Sequence, residues 1–385
     1  MYVNNIKIPV PFQFSMDDIG WIEGRVPYWD DFQPTRTGMP RRHTIEDYKM
    51  IEELGKSINM KICGMFVLGD WDRKGILSKV PYATKLGKKW ESSPHVVIEE
   101  QEEIRDFLNS CQYLEMAVHG LMHECWDDNG EYIGPEFIPT YDFKKGDKSK
   151  RVPAPEWYMR AHLDGFMEIY NDWGFTQTLR GFTCPGHCLD AWKDGSFTKV
   201  LRDYNIKFWH EPYITHTIVE HDVMLNKMPD WLGFWEAYDL NPDKLPTYSE
   251  EKAGIICTHW PNFLRYDPEL NIANLDKWVS YIKRQAEVFG VIISRDIGFA
   301  HRQLLYRNNC TISEENGKIK IDFSKANKIA PAGFDAPIYI SVKNDTAPFE
   351  CVGGIMTEYE VHETFKIYQI VRTQKDDIYL KPIAN

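Results

Sequence analysis

Two stretches carry residue types that could do chemistry together. The first is Ser15-Met16-Asp17-Asp18, which follows the apolar run 6–14. That run reads as a buried strand, and two adjacent carboxylates at its end are costly to bury unless something compensates their charge. A metal ion would compensate them. The second stretch is His119-Gly120-Leu121-Met122-His123, which follows the apolar run 113–118. Histidines four residues apart share one face of a helical turn and could grip one ion together. Asp18, His119 and His123 would then supply three protein ligands and leave a coordination position for water. That is the layout of a catalytic site and not of a closed structural one.

Two further segments sit just after apolar runs: Thr183-Cys184-Pro185-Gly186, after 179–182, and His259, after 254–258. Taken alone, an Asp-Asp pair is ordinarily a turn or cap, H-x-x-x-H is ordinarily structural, and a histidine after a strand is often a satisfied core residue. Their common placement at strand ends is what points to a site. The elements that must position them alternate. Helical patterns are expected at 44–59 (opened by Thr44 with Asp47 as capping partner), 96–109, 155–173 (closed by Gly174), 189–204 and 274–289. Strands are expected at 61–68, 113–118, 179–182, 206–209, 231–238, 254–258 and 291–294. This alternation argues for an α/β chain with a parallel sheet, and so many units suggest a distorted (β/α) barrel over residues 1–305, whose active face lies at the C-terminal ends of the strands. Irregular stretches at 21–42 and 69–94 could wall the cleft, and the Lys-rich 144–151 reads as a solvated loop. From 306 to 385 short strands without helical periodicity suggest a small C-terminal all-β module.

The chain has 385 residues, 43% of them apolar, enough for a large core. A net charge of −12 argues against nucleic acid as partner. No 18-residue apolar run is present, so no membrane span is expected. No basic-flanked apolar leader is visible, so the sequence as given reads as cytoplasmic, or extracytoplasmic if it is a trimmed form. Eight cysteines with no C-x-x-C pair, most of them flanked by apolar residues, read as buried free thiols. Cys184 and Cys188 flank His187, but without a fourth ligand they read as packing and not as a second zinc site. Aromatic residues make up 14%, which suits sugar stacking and a large core equally. Oligomeric state is not legible.

In order, Ser-Met-Asp-Asp, His-x-x-x-His, Phe-Thr-Cys-Pro-Gly and Cys-Thr-His resemble the motifs of the polysaccharide deacetylase family of carbohydrate esterases, over roughly residues 6–300. The resemblance implies a distorted (β/α) barrel that removes N- or O-acetyl groups from an acetylated carbohydrate with a divalent metal, usually zinc. It implies Asp18, His119 and His123 as metal ligands, Asp17 as general base and His259 as general acid. Thr183 stands where the family has an Arg that braces the catalytic Asp, and Arg180 is the nearest substitute. Thr183, Pro185, Gly186 and Trp260 would meet the substrate, and Asp230-Trp231 would match the family's acidic-Trp motif. Trp21, Trp29, Trp71, Trp126 and Trp260 could stack on a sugar or fill the core. Two other readings stay open: a metal-dependent amidase acting on a small non-sugar amide, and a carbohydrate-binding or assembly protein that kept the barrel and lost catalysis. An H-E-x-x-H zinc peptidase is disfavoured, because Glu124 follows the second histidine.

Overall fold

Near-continuous apolar runs need cover on both faces, which a parallel sheet between two cores provides. The computed structural model describes every residue except 1–2, 4, 25–36, 140, 143–146, 149–153, 187–194, 229–237, 246–253, 375–376 and 384–385. The chain opens with β1 (Ile6–Lys7) and β2 (Pro11–Ile19). The expected first strand is therefore two strands, and the Asp pair lies inside β2 and not beyond it. Helix α1 (Ile45–Ile58) starts at Thr44, whose backbone N–H donates to Asp47 as the sequence suggests, and ends at Asn59 in a left-handed conformation. Then come β3 (Ile62–Val67), α2 (Ile98–Ser110) and β4 (Leu114–Gly120). Two hairpins follow, β5 (Glu124–Trp126) with β6 (Tyr132–Pro135) and β7 (Tyr141–Asp142) with β8 (Asp147–Lys148). Part of the Lys-rich stretch thus enters a strand, and the rest lies outside the described residues.

Helix α3 (Glu156–Trp173) runs between Pro155 and a left-handed Gly174, as their positions suggest. Next are β9 (Gly181–Phe182), α4 (Ser196–Asp203), β10 (Phe208–Glu211), β11 (Ile218–Glu220), β12 (Val223–Lys227), β13 (Ile255–His259), α5 (Leu275–Phe289) and β14 (Ile292–Ile293). The strand expected at 231–238 falls almost wholly outside the described residues. In the sheet the strand order is β11-β12-β10-β9-β4-β3-β2-β13, with β14 also pairing with β2. All its pairs are parallel except β11–β12. The architecture is mixed α/β, with a sheet that curls into a half-barrel flanked by helices.

Side-chain alternation divides the sheet's two faces between two cores. Phe12, Phe14 and Met16 of β2, Ile62 and Phe66 of β3, and Leu114, Met116 and Val118 of β4 pack with helices α1 to α5. Cys63, Met65, Ala117, Phe208, Met224 and Ile255 point the other way, into a second core. On β2 that inner face carries Gln13, Ser15 and Asp17.

The inner core is completed by α6 (Ile297–Asn309), a helix not anticipated from the sequence. Asp296 caps it, accepting from Phe299 N at 2.6 Å. It is buried on nearly all sides, so it lacks the amphipathic pattern by which a surface helix is recognised. The helix also spans the boundary expected near residue 305. The tail contains β15 (Thr311–Glu315), β16 (Lys318–Asp322), α7 (Ser324–Ile329), β17 (Ile338–Lys343), β18 (Phe349–Val352), β19 (Gly354–Val361), β20 (Phe365–Arg372) and β21 (Ile378–Pro382). It is rich in strands as expected, but not all-β. Asp322 caps α7 through Ser324, and Ala326 is buried in the shared core. One tail sheet, β1-β17-β20-β19, takes in the N-terminal strand β1. The second tail sheet is β15-β16-β21-β18.

Candidate metal centre

Asp18, His119 and His123 meet at the C-terminal ends of β2 and β4. Asp18 Oδ1 lies 3.6 Å from the Nε2 atoms of both histidines, and all three residues are buried. Their ligand atoms fall within 4.8 Å of one another, so the three could hold a metal ion. One carboxylate and two imidazoles form a donor set suited to a divalent transition metal.

The local backbone explains how these side chains converge. Strict alternation would send Asp18 to the helix-covered face with Met16. Instead the β2–β3 register shifts between Met16 and Ile19, and Asp18 takes a left-handed φ of 65°. The bulge turns Asp18 toward the inner face, where alternation already places Asp17. Gly20 follows at φ 106°, where a Cβ would stand 2.4 Å from Val67 O. His119 lies on β4, two residues after the inner-facing Ala117. His123 is not on a helical turn with it. Gly120 (φ 138°) ends the strand, and a loop carries His123, at φ 66°, back over the site. The two rings stand 5.2 Å apart.

Each ligand ring is held from behind. His119 Nδ1 donates to Thr183 O at 2.9 Å, and His123 Nδ1 contacts Glu124 Oε1 at 3.0 Å. Both Nε2 atoms therefore face Asp18, the arrangement in which a partner on one ring nitrogen aims the other at a metal. Burial, helped by the neighbouring His123 charge, holds the pKa of His119 down to about 3, favouring the neutral ring. Burial also opposes charge on His123, but the carboxylates of Glu124, Asp18 and Glu136 outweigh it and raise its pKa to about 9.

The residue that sequence reasoning missed is Glu136. Fully buried, it accepts the backbone N–H groups of Leu121, Met122 and His123 at 2.9, 3.0 and 2.9 Å. Its Oε1 also meets His162 Nδ1 at 2.8 Å, while His162 Nε2 meets Pro81 O at 2.8 Å. Glu136 thus replaces the helical hydrogen bonds that the loop 120–123 does not make. Nothing in the spacing of Glu136 marks it, because its partners in the loop 121–123 are backbone groups and its side-chain partner, His162, lies 26 residues on.

Asp17 and His259 flank the triad. They are register partners on neighbouring strands, and His259 Nε2 lies 3.8 Å from Asp18 Oδ2. The backbone N–H of His259 donates to Asn262 Oδ1. Thr183 contributes its carbonyl, Pro185 packs over Gly120, where a Cβ would stand 3.0 Å from Pro185 Cγ, and Gly186 is half-buried at φ 61°.

Arg180 is not part of this group. It precedes β9 and pairs with Glu115 at 2.7 Å and Asp296 at 3.4 Å. Glu115 lies four residues before His119, roughly 13 Å back along the strand, so Arg180 ties the far end of the sheet to α6. Trp260 is not a sugar platform either: it is fully buried and stacked 4.0 Å from the His43 ring. Trp21, Trp71 and Trp126 are buried too. Trp29, His187, Cys188 and Asp230-Trp231 lie outside the described residues. Cys184 is disulfide-bonded and not a free thiol, whereas Cys63, Cys111, Cys125, Cys257, Cys310 and Cys351 are free. No helix among the described residues is long and apolar enough to cross a membrane.

No family model and no curated protein matches this chain. Among solved structures, a complex of endo-glycoceramidase II from Rhodococcus sp. with a cellobiose-like imidazole is similar at 10% identity over 98% of both chains, with a TM-score of 0.25. Another structure of that enzyme gives 9% identity, 97% of this chain and 98% of that one, with a TM-score of 0.24. Likeness at that level carries no argument about fold or activity.

Proposed function

We propose that this chain is a metal-dependent hydrolase that removes N- or O-linked acetyl groups from a carbohydrate, with zinc as its resident ion. The observation that supports this most is the convergence of Asp18, His119 and His123 with a second carboxylate, Asp17, and a second imidazole, His259, at the same strand ends. A divalent cation held by the triad would supply polarisation of the acetyl carbonyl and acidify a water toward neutral pH. Asp17 takes the proton of the attacking water, since Asp18 is committed to the two imidazoles. His259 gives a proton to the departing nitrogen or oxygen. Thr183 and Glu124 fix how the ligand rings face, so the geometry is set before substrate arrives.

Zinc-loaded protein assayed for acetate release on a small panel of acetylated sugars tests this reading. Release that disappears in Asp17→Asn is the expected result, and a zinc-loaded wild type inert on every sugar contradicts it. One observation favours a second reading, an amidase for a small non-sugar amide: Trp21, Trp71, Trp126 and Trp260 are all buried, so none offers a free ring face to a sugar. Adding small acetamides to the panel separates the two.

A further inference from the structure

Arg180 pairs with Glu115 toward the other end of the sheet, while the thiol of Cys257 lies against the base Asp17. We propose that Cys257 is the positioning residue for Asp17, its thiol donating to Oδ2 and so setting which carboxylate oxygen meets the attacking water. The proposal rests on the hydrolase reading above. Its ground is geometric. Strands β2 and β13 run in parallel register, Ser15 opposite Cys257 and Asp17 opposite His259. Cys257 and His259, two residues apart, therefore share the inner face with Asp17. Cys257 Sγ lies 3.3 Å from Asp17 Oδ2, within hydrogen-bonding range for sulfur, and an ionised carboxylate can only accept. The thiol is in no disulfide and is 5% exposed, so solvent competes little for the contact. Position 257 thus touches the base directly, whereas Thr183, where the resemblance would place an arginine, turns its carbonyl to His119.

Three substitutions distinguish positioning from packing. Cys257→Ala and Cys257→Val both remove the donor, the first by shrinking the side chain and the second by enlarging it, so an effect common to both is not one of packing. Each is expected to lower kcat about three- to tenfold, the effect of losing one weak hydrogen bond to a charged group, with KM and bound zinc unchanged. Cys257→Ser, which donates from the same place, is expected to restore most of the loss. Wild-type kcat in both donor-less variants, or Cys257→Ser no better than Cys257→Ala, overturns the proposal. A second readout needs no turnover. The S–H stretching band of Cys257, isolated as the infrared difference between wild type and Cys257→Ser, should move toward that of a free thiol in Asp17→Ala. A band that does not move overturns the hydrogen bond itself. A wild type inert on every substrate, with the band behaving as described, sinks the hydrolase reading while leaving the Cys257–Asp17 contact standing.

Discussion

Glu136→Gln is the most informative single change. The side chain keeps its shape, but one of its two oxygens becomes an NH2 group. In the native loop each oxygen takes two donors: Oε1 those of Leu121 N and His162 Nδ1, Oε2 those of Met122 N and His123 N. A glutamine therefore loses two of the four hydrogen bonds and points its amide hydrogens at two buried donors. Hydrogen bonds to a charged acceptor contribute about 1.5–3 kcal/mol each, so the variant should be destabilised by about 3–6 kcal/mol. That is a large share of the roughly 5–15 kcal/mol that holds a typical domain together. The same bonds seat His123, and loss of a group that orients a ligand typically weakens metal affinity about 10- to 100-fold. Urea titration of the metal-free protein measures the first effect, and calorimetric titration of that protein with zinc measures the second. A variant with the urea midpoint and zinc affinity of wild type would refute the view that Glu136 holds the ligand loop.

Arg180→Met should destabilise the fold by about 2 kcal/mol by stranding the buried Glu115, less than for a fully buried pair because the Arg180 side chain is 30% exposed. Zinc binding should be untouched, as isothermal titration would show. Trp260→Ala should cost about 3–5 kcal/mol of stability, the range for emptying a buried aromatic site, measured by urea unfolding; a loss of sugar affinity with stability intact would contradict its burial. Asp47 is buried, which works against its charge, yet two hydrogen bonds from Arg41 and one from His43 hold its carboxyl well below the usual range. A depressed folded pKa gives stability that is fully present above the unfolded carboxylate pKa of about 4 and is lost as pH falls toward the folded value. Unfolding free energies of wild type and Asp47→Asn should therefore differ by a constant amount from pH 7 to about 5 and converge below about 4.

The strands that hold the site were legible because buried parallel strands leave long apolar runs, and the Asp and His residues stand out at their ends. Capping chemistry at Thr44 and Gly174 was legible for the same local reason. What was not legible depends on contacts distant in sequence. The bulge that turns Asp18 inward is set by register with β3, and the His123 loop takes its shape from Glu136, thirteen residues on. The i, i+4 spacing of His119 and His123 suggested a helical turn, but Gly120 and the Glu136 carboxylate impose a different loop with a similar convergence. Helix α6 escaped notice because burial on almost every side erases periodicity. Arg180 was the nearest substitute for a brace, though three residues from Thr183 and so on the opposite side of a strand, and its actual partner, Glu115, lies 65 residues away in the sequence.

Counting the zinc bound per chain tests the central idea most directly. Metal-free protein loaded with zinc and desalted should retain one ion per chain, and Asp18→Ala and His119→Ala should each retain none while keeping the wild-type circular dichroism spectrum. A wild type that holds no ion, or variants that hold it as well as wild type does, would contradict the account.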